Sequence, residues 1–327
     1  MLNKDILLEQ DSRNYCNCRI PGIVISSSGS IFTYYEARKE WSDWAPIDII
    51  VLRSCDDGKS WQEVHKIFGN GNTMNNPVMI AKDDTLHLLY CENYCRMFYT
   101  FSTDDGNSWS EAVEITSVFK NAGIDFTIIA PGPGHGIVSP DGTLLAPVWF
   151  AINKEDAHSH RPSFIGTMYS KDNGKSWCAG ELIESEDLRD PSECALGILN
   201  DGSIIISIRN DNDCFERCHA VSKNGYSDWQ NICFDPRFPD PHCMGSLYND
   251  GKTLYFINCA DKTARKNLVI KKSLDDFKTF EEIVVTERYG GYSDLCVKDG
   301  KILVFYEEII PIHLQPVIHL HFKEIIM

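Results

Sequence analysis

The stretch SCDDGKSW, residues 54–61, has the composition of a tight polar turn, but it ends in a tryptophan, which is a costly residue to leave on a loop. The stretch recurs with the pattern Ser-x-Asp-x-Gly-x-Ser-Trp as STDDGNSW (102–109) and SKDNGKSW (170–177). Two weaker copies follow, SKNGYSDW (222–229) and SLDDFKTF (273–280). A turn that is repeated together with its tryptophan indicates a structural unit that recurs along the chain.

Each residue of the repeat has a local structural role. The Asp side chain accepts hydrogen bonds from the amides of the turn, the Gly adopts the left-handed backbone conformation, and the Trp packs between neighbouring sheets. We therefore interpret these aspartates as structural and not catalytic. The copies recur about every 50 to 70 residues, which is the length of a four-stranded propeller blade with its loops.

Short apolar runs of strand length lie between the copies, bounded by Gly, Asp or Asn. Examples are IDIIVL (47–52), LHLLY (86–90), SIIISI (203–208), TLYFI (253–257) and KILVFY (301–306). Asp-Gly pairs precede such runs, as hairpin turns should. No long stretch has helical periodicity. The sequence predicts an all-β fold, a six-bladed β-propeller of four-stranded antiparallel sheets, as a single domain over residues 1–327.

Composition and charge restrict the classes of partner. The chain of 327 residues has a net charge of −16 and a pI near 5.0, which argues against nucleic acid or an anionic membrane as the main partner. No run of 18 or more apolar residues occurs, so no transmembrane segment is predicted. The N-terminal MLNKDILLEQD lacks the apolar core of a signal peptide, and we expect a cytoplasmic location.

The thirteen cysteines are scattered through the chain. The close pairs at 16/18, 91/95 and 214/218 do not form the two CxxC motifs that zinc sites favour. Reduced and mostly buried thiols are expected instead, as in a cytoplasmic protein.

Three arginines outside the repeats lie in segments that resemble segments of a known family. Arg19 lies in CRIPGIV, Arg209 follows the run SIIISI, and Arg265 lies in TARKNLVIKKS before the fifth repeat. Guanidinium groups form bidentate, permanently charged contacts with carboxylates. With the repeats, which are called Asp boxes, these segments resemble the sialidases (neuraminidases), exo-α-sialidases with BNR repeats. The family has Phe or Tyr before the first arginine, where this chain has Cys18, a departure that affects packing and not charge.

The resemblance also implies a nucleophile and its base. GGYSDL (290–295) matches the family's Tyr-Ser-Asp-Leu and points to Tyr292. A neutral phenol is not repelled by the substrate's own carboxylate, provided that a base removes its proton. PSECALGILNDG resembles the segment that supplies this base, which implies Glu193. The apolar neighbours of Glu193 favour its burial.

Two aspartates compete for the role of acid–base residue. Asp43 is preferred, because it lies in the loop-like SDWAP, a few residues after a Glu-x-Arg motif, where the family places this residue. Asp48 enters a strand and is expected to pack or pair there. Desolvation by Trp41 and Trp44 is expected to raise the pKa of Asp43.

Further matches complete the implied site. Arg38, in the Glu-x-Arg motif, is expected beside the substrate's ring substituents, and Glu307 in VFYEEI is expected to orient Arg19. PGPGHGI (131–137) resembles a family stretch whose glycines allow a close backbone approach at the pocket floor. Asn76-Pro77 also resembles the family, without a role in the chemistry. Candidates for the ring-substituent pocket are Trp41, Trp44 and Trp149.

The resemblance implies a catalytic domain without an appended lectin domain, which needs neither metal nor cofactor. It would hydrolyse terminal α-linked sialic acids of glycoproteins, glycolipids or oligosaccharides, retaining configuration through a covalent tyrosine intermediate. One alternative is a related substrate, a deaminated or bacterial nonulosonic acid, or transfer to another sugar. Another, from a different class, is a non-catalytic Asp-box propeller that binds glycans. That alternative predicts a missing catalytic residue, whereas every candidate is present.

Overall fold

The computed structural model describes residues 4–7, 14–156, 158–311 and 316–326. These residues form strands and a single short helix, α1 (Ser117–Asn121). The strands, in chain order, are β1 (Lys4–Leu7), β2 (Asn17–Ile25), β3 (Ile31–Arg38), β4 (Ile47–Ser54), β5 (Gln62–Ile67), β6 (Met74–Lys82), β7 (Thr85–Glu92), β8 (Arg96–Ser102), β9 (Val113–Glu114), β10 (Ile128–Pro131), β11 (Gly134–His135), β12 (Ile137–Val138), β13 (Leu144–Ala151), β14 (Ser163–Ser170), β15 (Cys178–Ala179), β16 (Cys194–Ile198), β17 (Ile204–Ile208), β18 (Glu216–Ser222), β19 (Gln230–Pro239), β20 (Ser246–Asn249), β21 (Leu254–Cys259), β22 (Lys266–Ser273), β23 (Glu281–Lys298), β24 (Lys301–Ile310) and β25 (Val317–Ile326). The predicted all-β fold is confirmed.

Hydrogen bonding assembles the strands into the sheets of a β-propeller. The strand orders are β2-β3-β4-β5, β11-β6-β7-β8-β9, β10-β13-β14-β15 with β12 beside β13, β16-β17-β18-β19, and β1-β25-β24-β23-β22-β21-β20. Strands that follow one another in a sheet and in the chain pair antiparallel, whereas β11 joins β6 in parallel. The fold is therefore an up-and-down propeller with five sheets.

The predicted count of six separate four-stranded sheets is wrong. β23 continues for 18 residues, and its first half pairs with β22 while its second half pairs with β24. The Gly290-Gly291 pair lies inside this strand, which continues through an irregular register between Gly290 and Ser293. Two groups of strands are thereby joined into one seven-stranded sheet.

The N-terminal strand closes the ring. β1 pairs antiparallel with β25, so that Lys4 lies opposite Glu324 and Leu7 opposite His321. The chain then enters the neighbouring sheet as β2, which contacts both β6 and β23. Because β1 covers β25, the last long strand is not left as a free edge.

The repeated turn has the local structure that its sequence predicts. In the first copy, the carboxylate of Asp56 accepts hydrogen bonds from the amides of Lys59 and Ser60 at 3.1 and 2.9 Å. The hydrogen bonds from Ser60 lower the pKa of Asp56 to about 2. Gly58 has a φ of +74°, and a Cβ at this position would lie 2.3 Å from the ring of Phe322. This position therefore requires glycine.

The tryptophan that ends each complete copy contacts the preceding sheet of the ring. The ring-centroid distances are 5.2 Å for Trp61–Phe322, 4.7 Å for Trp109–His65 and 5.4 Å for Trp177–Tyr99. The prediction that these tryptophans pack between neighbouring sheets is confirmed. The turn thus joins one sheet to the next.

The thirteen cysteines all carry free thiols, and seven of them are buried. Within the described part of the chain, no helix has the length and apolar character needed to cross a bilayer.

We expect Trp177→Ala to lower the free energy of unfolding by about 3–5 kcal/mol, the usual cost of truncating a buried large aromatic side chain. Trp177 is 7% exposed and its contact with Tyr99 joins two sheets. Urea denaturation followed by circular dichroism measures the change. The control is Lys175→Ala in the same turn, where the side chain is exposed and the expected change is within about 0.5 kcal/mol. Equal effects of the two substitutions would contradict the packing role.

Candidate active site

A cavity of about 210 Å³ collects most of the residues that the sequence singled out. They come from loops and strand ends of several sheets, and those that line the cavity are Arg19, Arg38, Asp43, Glu193, Arg209, Arg265 and Tyr292. Glu307 lies directly behind Arg19 and is fully buried. The fold therefore brings together side chains that are up to 288 positions apart in the chain.

Glu307 fixes the positions of Arg19 and Tyr292 relative to each other. Its carboxylate accepts hydrogen bonds from Nε and Nη2 of Arg19 at 3.1 and 3.2 Å. It also accepts the backbone amides of Ile20 at 3.0 Å and Tyr292 at 3.1 Å. A Cβ at Gly291 would lie 2.1 Å from Oε2 of Glu307, so glycine is needed beside the carboxylate.

Tyr292 and Glu193 form a direct pair at the bottom of the cavity. The phenol of Tyr292 donates to the Glu193 carboxylate, whose two oxygens lie 2.5 and 2.7 Å away. Arg209 donates from Nη1 to the Tyr292 oxygen at 3.0 Å and also forms an ion pair with Glu193. The guanidinium groups of Arg19 and Arg265 lie 5.1 and 5.6 Å from the centroid of the Tyr292 ring. Three cations thus surround one phenol.

Burial dominates the acidity of Tyr292. Burial raises the pKa of the phenol well above its usual value, and the neighbouring Glu193 carboxylate raises this pKa further. The guanidinium groups of Arg209, Arg265 and Arg19 act in the opposite direction but do not outweigh burial. The phenol therefore stays protonated at neutral pH until a base removes its proton.

The expected rise in the pKa of Asp43 is not found. Burial does act to raise this pKa, but the Arg38 guanidinium, 2.5 Å away, and the more distant Arg19 hold it below its usual value. The Asp43 side chain is 45% exposed, so desolvation by the neighbouring tryptophans is incomplete. Arg38 is 1% exposed and also pairs with Glu36 at 2.6 Å. The sequence pattern did not reveal that Arg38 would lie between the two carboxylates.

The remaining sequence candidates lie around the cavity. Asp48 is buried in β4, where it accepts hydrogen bonds from the Tyr15 phenol and, at 2.8 Å, from the Gly69 amide, so it is paired as expected. His135 of the glycine-rich stretch bonds to Asp294 through Nδ1 at 2.7 Å.

The three candidate tryptophans differ in position. Trp149 lines the cavity, and Trp44 packs on Tyr94 beside it at 4.9 Å. Trp41 is not among the described residues that line the cavity. Cys18, at the position of the family's aromatic residue, is 1% exposed and packs in the core with Tyr35.

Several residues of the cavity wall were not found from the sequence. They are Tyr94, His160, Arg161, Ser163, Asp190 and Ser192. These residues lie in turns, loops or strand ends without a repeat or motif. Asn76 was noted in the sequence because Asn76-Pro77 resembles the family. In the structure, its backbone amide donates a 2.8 Å hydrogen bond to the carboxylate of Glu36. The Asn76 backbone has a φ of +52°.

No group of three or more His, Cys, Asp or Glu side chains in the described residues is arranged to hold a metal ion. The polar groups of the cavity are instead guanidinium groups, carboxylates, hydroxyls and ring nitrogens. Such a set can bind a carboxylate, transfer protons and supply a phenolic nucleophile.

Comparison with known families agrees with this constellation. The model of the BNR repeat-like domain matches residues 67–304, which is more than half of the chain. The chain belongs to the BNR repeat-like family. The resemblance to Asp-box proteins that the repeats predicted is thereby confirmed.

Relatives of this BNR repeat-like protein include a sialidase of Paraclostridium sordellii, 26% identical over 348 aligned residues that cover 88% of this chain and 81% of the relative. A sialidase of Bacteroides fragilis is 26% identical over 88% of this chain, which spans 59% of that relative's length. The solved structure of the Hadza microbial sialidase Hz136 superposes with a TM-score of 0.81 at 23% identity, covering 97% of this chain and 67% of that chain. At this level of identity, the similarity to Hz136 shows that the two proteins share a fold.

We expect Glu307→Gln to destabilise the protein by about 3 kcal/mol, because it removes one partner of a buried ion pair and leaves Arg19 with a neutral acceptor. The value is at the low end of the usual range, since the Arg19 side chain keeps 16% of its exposure. The free energy of unfolding in urea tests this. In the control Glu281→Gln, the carboxylate is 62% exposed and its pair with Lys272 should contribute less than about 1 kcal/mol. If Glu307→Gln changes the free energy of unfolding no more than this control does, the Glu307 ion pair does not stabilise the fold.

Proposed function

We propose that this protein is an exo-α-sialidase that hydrolyses terminal α-linked sialic acids with retention of configuration. The observation that carries the proposal is the Tyr292–Glu193 pair, with the phenol 2.5 and 2.7 Å from the two carboxylate oxygens and Arg209 3.0 Å from the phenol oxygen. This pair supplies a nucleophile and its base in one contact. The names of the curated relatives support the same activity.

Arg19, Arg209 and Arg265 are proposed to bind the carboxylate on the anomeric carbon of the substrate. All three line the cavity next to Tyr292. Glu307 orients Arg19, and the carbonyl of His242 accepts a 3.0 Å hydrogen bond from Nη2 of Arg265. Cations that are already fixed lose little conformational freedom when an anion binds, which favours a tight and oriented complex.

The proposed reaction has two steps. In the first, Glu193 takes the phenolic proton, the Tyr292 oxygen attacks the anomeric carbon, and Asp43 protonates the leaving glycosidic oxygen. In the second, Asp43 removes a proton from water, whose oxygen attacks the same carbon from the face that the leaving group vacated. The bond to Tyr292 then breaks, and its oxygen regains the proton from Glu193. Two inversions give net retention.

A phenol fits this site better than a carboxylate would. The substrate carboxylate must lie beside the nucleophile, and a second anion there would be repelled by it. Tyr292 is neutral in the free protein because burial raises its pKa. Its negative charge therefore develops only when Glu193 accepts the proton, next to the three arginines that stabilise it.

The substrates proposed are sialylated glycoproteins, glycolipids and oligosaccharides. A related nonulosonic acid, or transfer to a sugar in place of water, uses the same groups. Hydrolysis of fluorogenic glycosides of N-acetylneuraminic, N-glycolylneuraminic, deaminated and bacterial nonulosonic acids separates these substrates. No hydrolysis of any of them would favour a glycan-binding propeller. The single-domain organisation and the cytoplasmic location stay predictions.

Tyr292→Phe is expected to remove nearly all hydrolysis, a loss of about 10³-fold or more in kcat, because the ring keeps its packing but loses the nucleophilic oxygen. Steady-state hydrolysis of a fluorogenic sialoside measures this, and circular dichroism reports whether the fold is retained. Tyr289→Phe, on the same strand with a residue that is 49% exposed, is the matched control and should keep full activity. A Tyr292→Phe variant with wild-type activity would exclude the proposed mechanism.

The pH profile of kcat/KM should depend on Arg38. This guanidinium lowers the pKa of Asp43, which has to be protonated in the free enzyme to act as the acid. Removing the charge in Arg38→Gln raises this pKa, so the acid form persists to higher pH and the alkaline limb of the profile moves upward in pH. Arg288→Gln, an exposed arginine paired with Glu308, should leave the limb in place. A limb that stays or moves to lower pH in Arg38→Gln contradicts the assignment of Asp43.

A further inference from the structure

The loop that carries Asp43, residues 39–46 between β3 and β4, offers this residue few hydrogen bonds. The Asp43 carbonyl accepts a long bond of 3.4 Å from Asn75, and its carboxylate bonds to Arg38 while 45% of the side chain stays exposed. A group that must transfer a proton has to be held to within about half an ångström. The bond to Arg38 restrains one side of the carboxylate, so contacts made by the loop itself also bear on where Asp43 lies.

The adjacent residue, Trp44, supplies such a restraint through its ring. The ring centroid lies 4.9 Å from that of Tyr94, 4.3 Å from that of His158 and 5.7 Å from that of His160. Tyr94 lies in the turn between β7 and β8, and the two histidines lie in the hairpin between β13 and β14. The loop that carries Asp43 is thus packed against residues from the connections of two other sheets.

A second layer of rings fixes the first. Tyr94 and Trp149 are each 4% exposed, and their ring centroids lie 6.0 Å apart. The His160 ring lies between them, 5.0 Å from Tyr94 and 5.3 Å from Trp149. Rings that meet at such tilted or edge-on angles attract one another beyond the effect of their buried area. We name Trp44, Tyr94, Trp149 and His160 the aromatic clasp.

The two ends of the hairpin that presents His160 are hydrogen-bonded to each other. The amide of Ile152 donates to the carbonyl of Pro162 at 3.1 Å, and the side chain of Asn153 donates to the carbonyl of Arg161 at 3.0 Å. Arg161 forms an ion pair with Asp211. The hairpin can therefore act as a fixed support for the loop of Asp43.

We infer that the aromatic clasp positions Asp43 for proton transfer to the leaving group. Tyr94, Trp149 and His160 line the cavity together with Asp43, and Trp44 is joined to Asp43 by a peptide bond. A shift of the Trp44 ring therefore moves the carboxylate, and small displacements of a reacting group cost large factors in rate. Trp44 is thus a positioning residue, and the inference rests on the proposed function.

Leaving-group dependence distinguishes positioning of Asp43 from a simple role in the cavity wall. An activated phenol leaves an aryl sialoside with little need for protonation. The sugar hydroxyl that leaves sialyl-lactose has to be protonated by the acid, Asp43. Loss of the clasp should therefore reduce kcat/KM for sialyl-lactose strongly and for the aryl sialoside little. A wall residue that contacts only the sialyl ring would affect both substrates equally, because they share that ring.

In Trp44→Ala we expect kcat/KM to fall about 100-fold for sialyl-lactose and about threefold or less for the aryl sialoside, a split set by the usual contribution of general acid catalysis. Trp44→Phe keeps an aromatic ring in the clasp and should restore most of the loss. The control is Phe68→Ala in the connection between β5 and β6, where the ring is largely exposed and both rates should be unchanged. Circular dichroism and the Tm report retention of the fold.

A double-mutant cycle tests whether the effect passes through Asp43. Asp43→Ala should show the same split between substrates, and Trp44→Ala combined with Asp43→Ala should lose no more than Asp43→Ala alone. Equal losses on both substrates in Trp44→Ala, or additive losses in the double variant, overturn the clasp proposal while the sialidase proposal stands. A wild-type protein that cleaves neither substrate overturns both.

Discussion

The buried carboxylate of Glu307 is the interaction on which the cavity depends. It accepts two hydrogen bonds from Arg19 and two from backbone amides, one on β2 and one on β23. A buried carboxylate without donors is costly, and so is a cation without an acceptor, so each group stabilises the position of the other. Because Glu307 binds both Arg19 and the backbone amide of Tyr292, it sets the distance between this arginine and the proposed nucleophile.

Local charge outweighs net charge in this protein. The chain carries −16 overall, yet three guanidinium groups lie within reach of one phenol. Exposed charges are screened over about 8 Å at physiological ionic strength, whereas partly buried groups are screened much less. An anionic substrate that enters the cavity is therefore governed by the arginines and not by the acidic surface. The net charge carried no information about the site.

Two expectations failed because each assumed that a short segment acts alone. Six separate sheets were predicted from the repeats, but the neighbouring strands β22 and β24 supply hydrogen bonds along the whole of β23, so this strand joins two groups of strands into one sheet. Asp43 was assigned a raised pKa from its neighbours in sequence, Trp41 and Trp44, whereas Arg38 reaches it across the loop and lowers the pKa. In both cases a partner outside the segment decided the result.

The sequence by itself determined what depends on local contacts. The hydrogen bonds that Asp56 accepts within its Asp box span at most four residues, so the pattern specifies the turn, and the spacing of the copies specifies a propeller. Motifs identified the arginines, the Tyr292–Glu193 pair, Asp43 and Glu307, but not the rest of the cavity wall. Tertiary structure decided how these groups meet. Tyr292 and Glu193 are 99 positions apart, and the aromatic clasp joins three loops without a shared motif. Such contacts form only when the ring closes, because closure brings the loops of different sheets to one cavity.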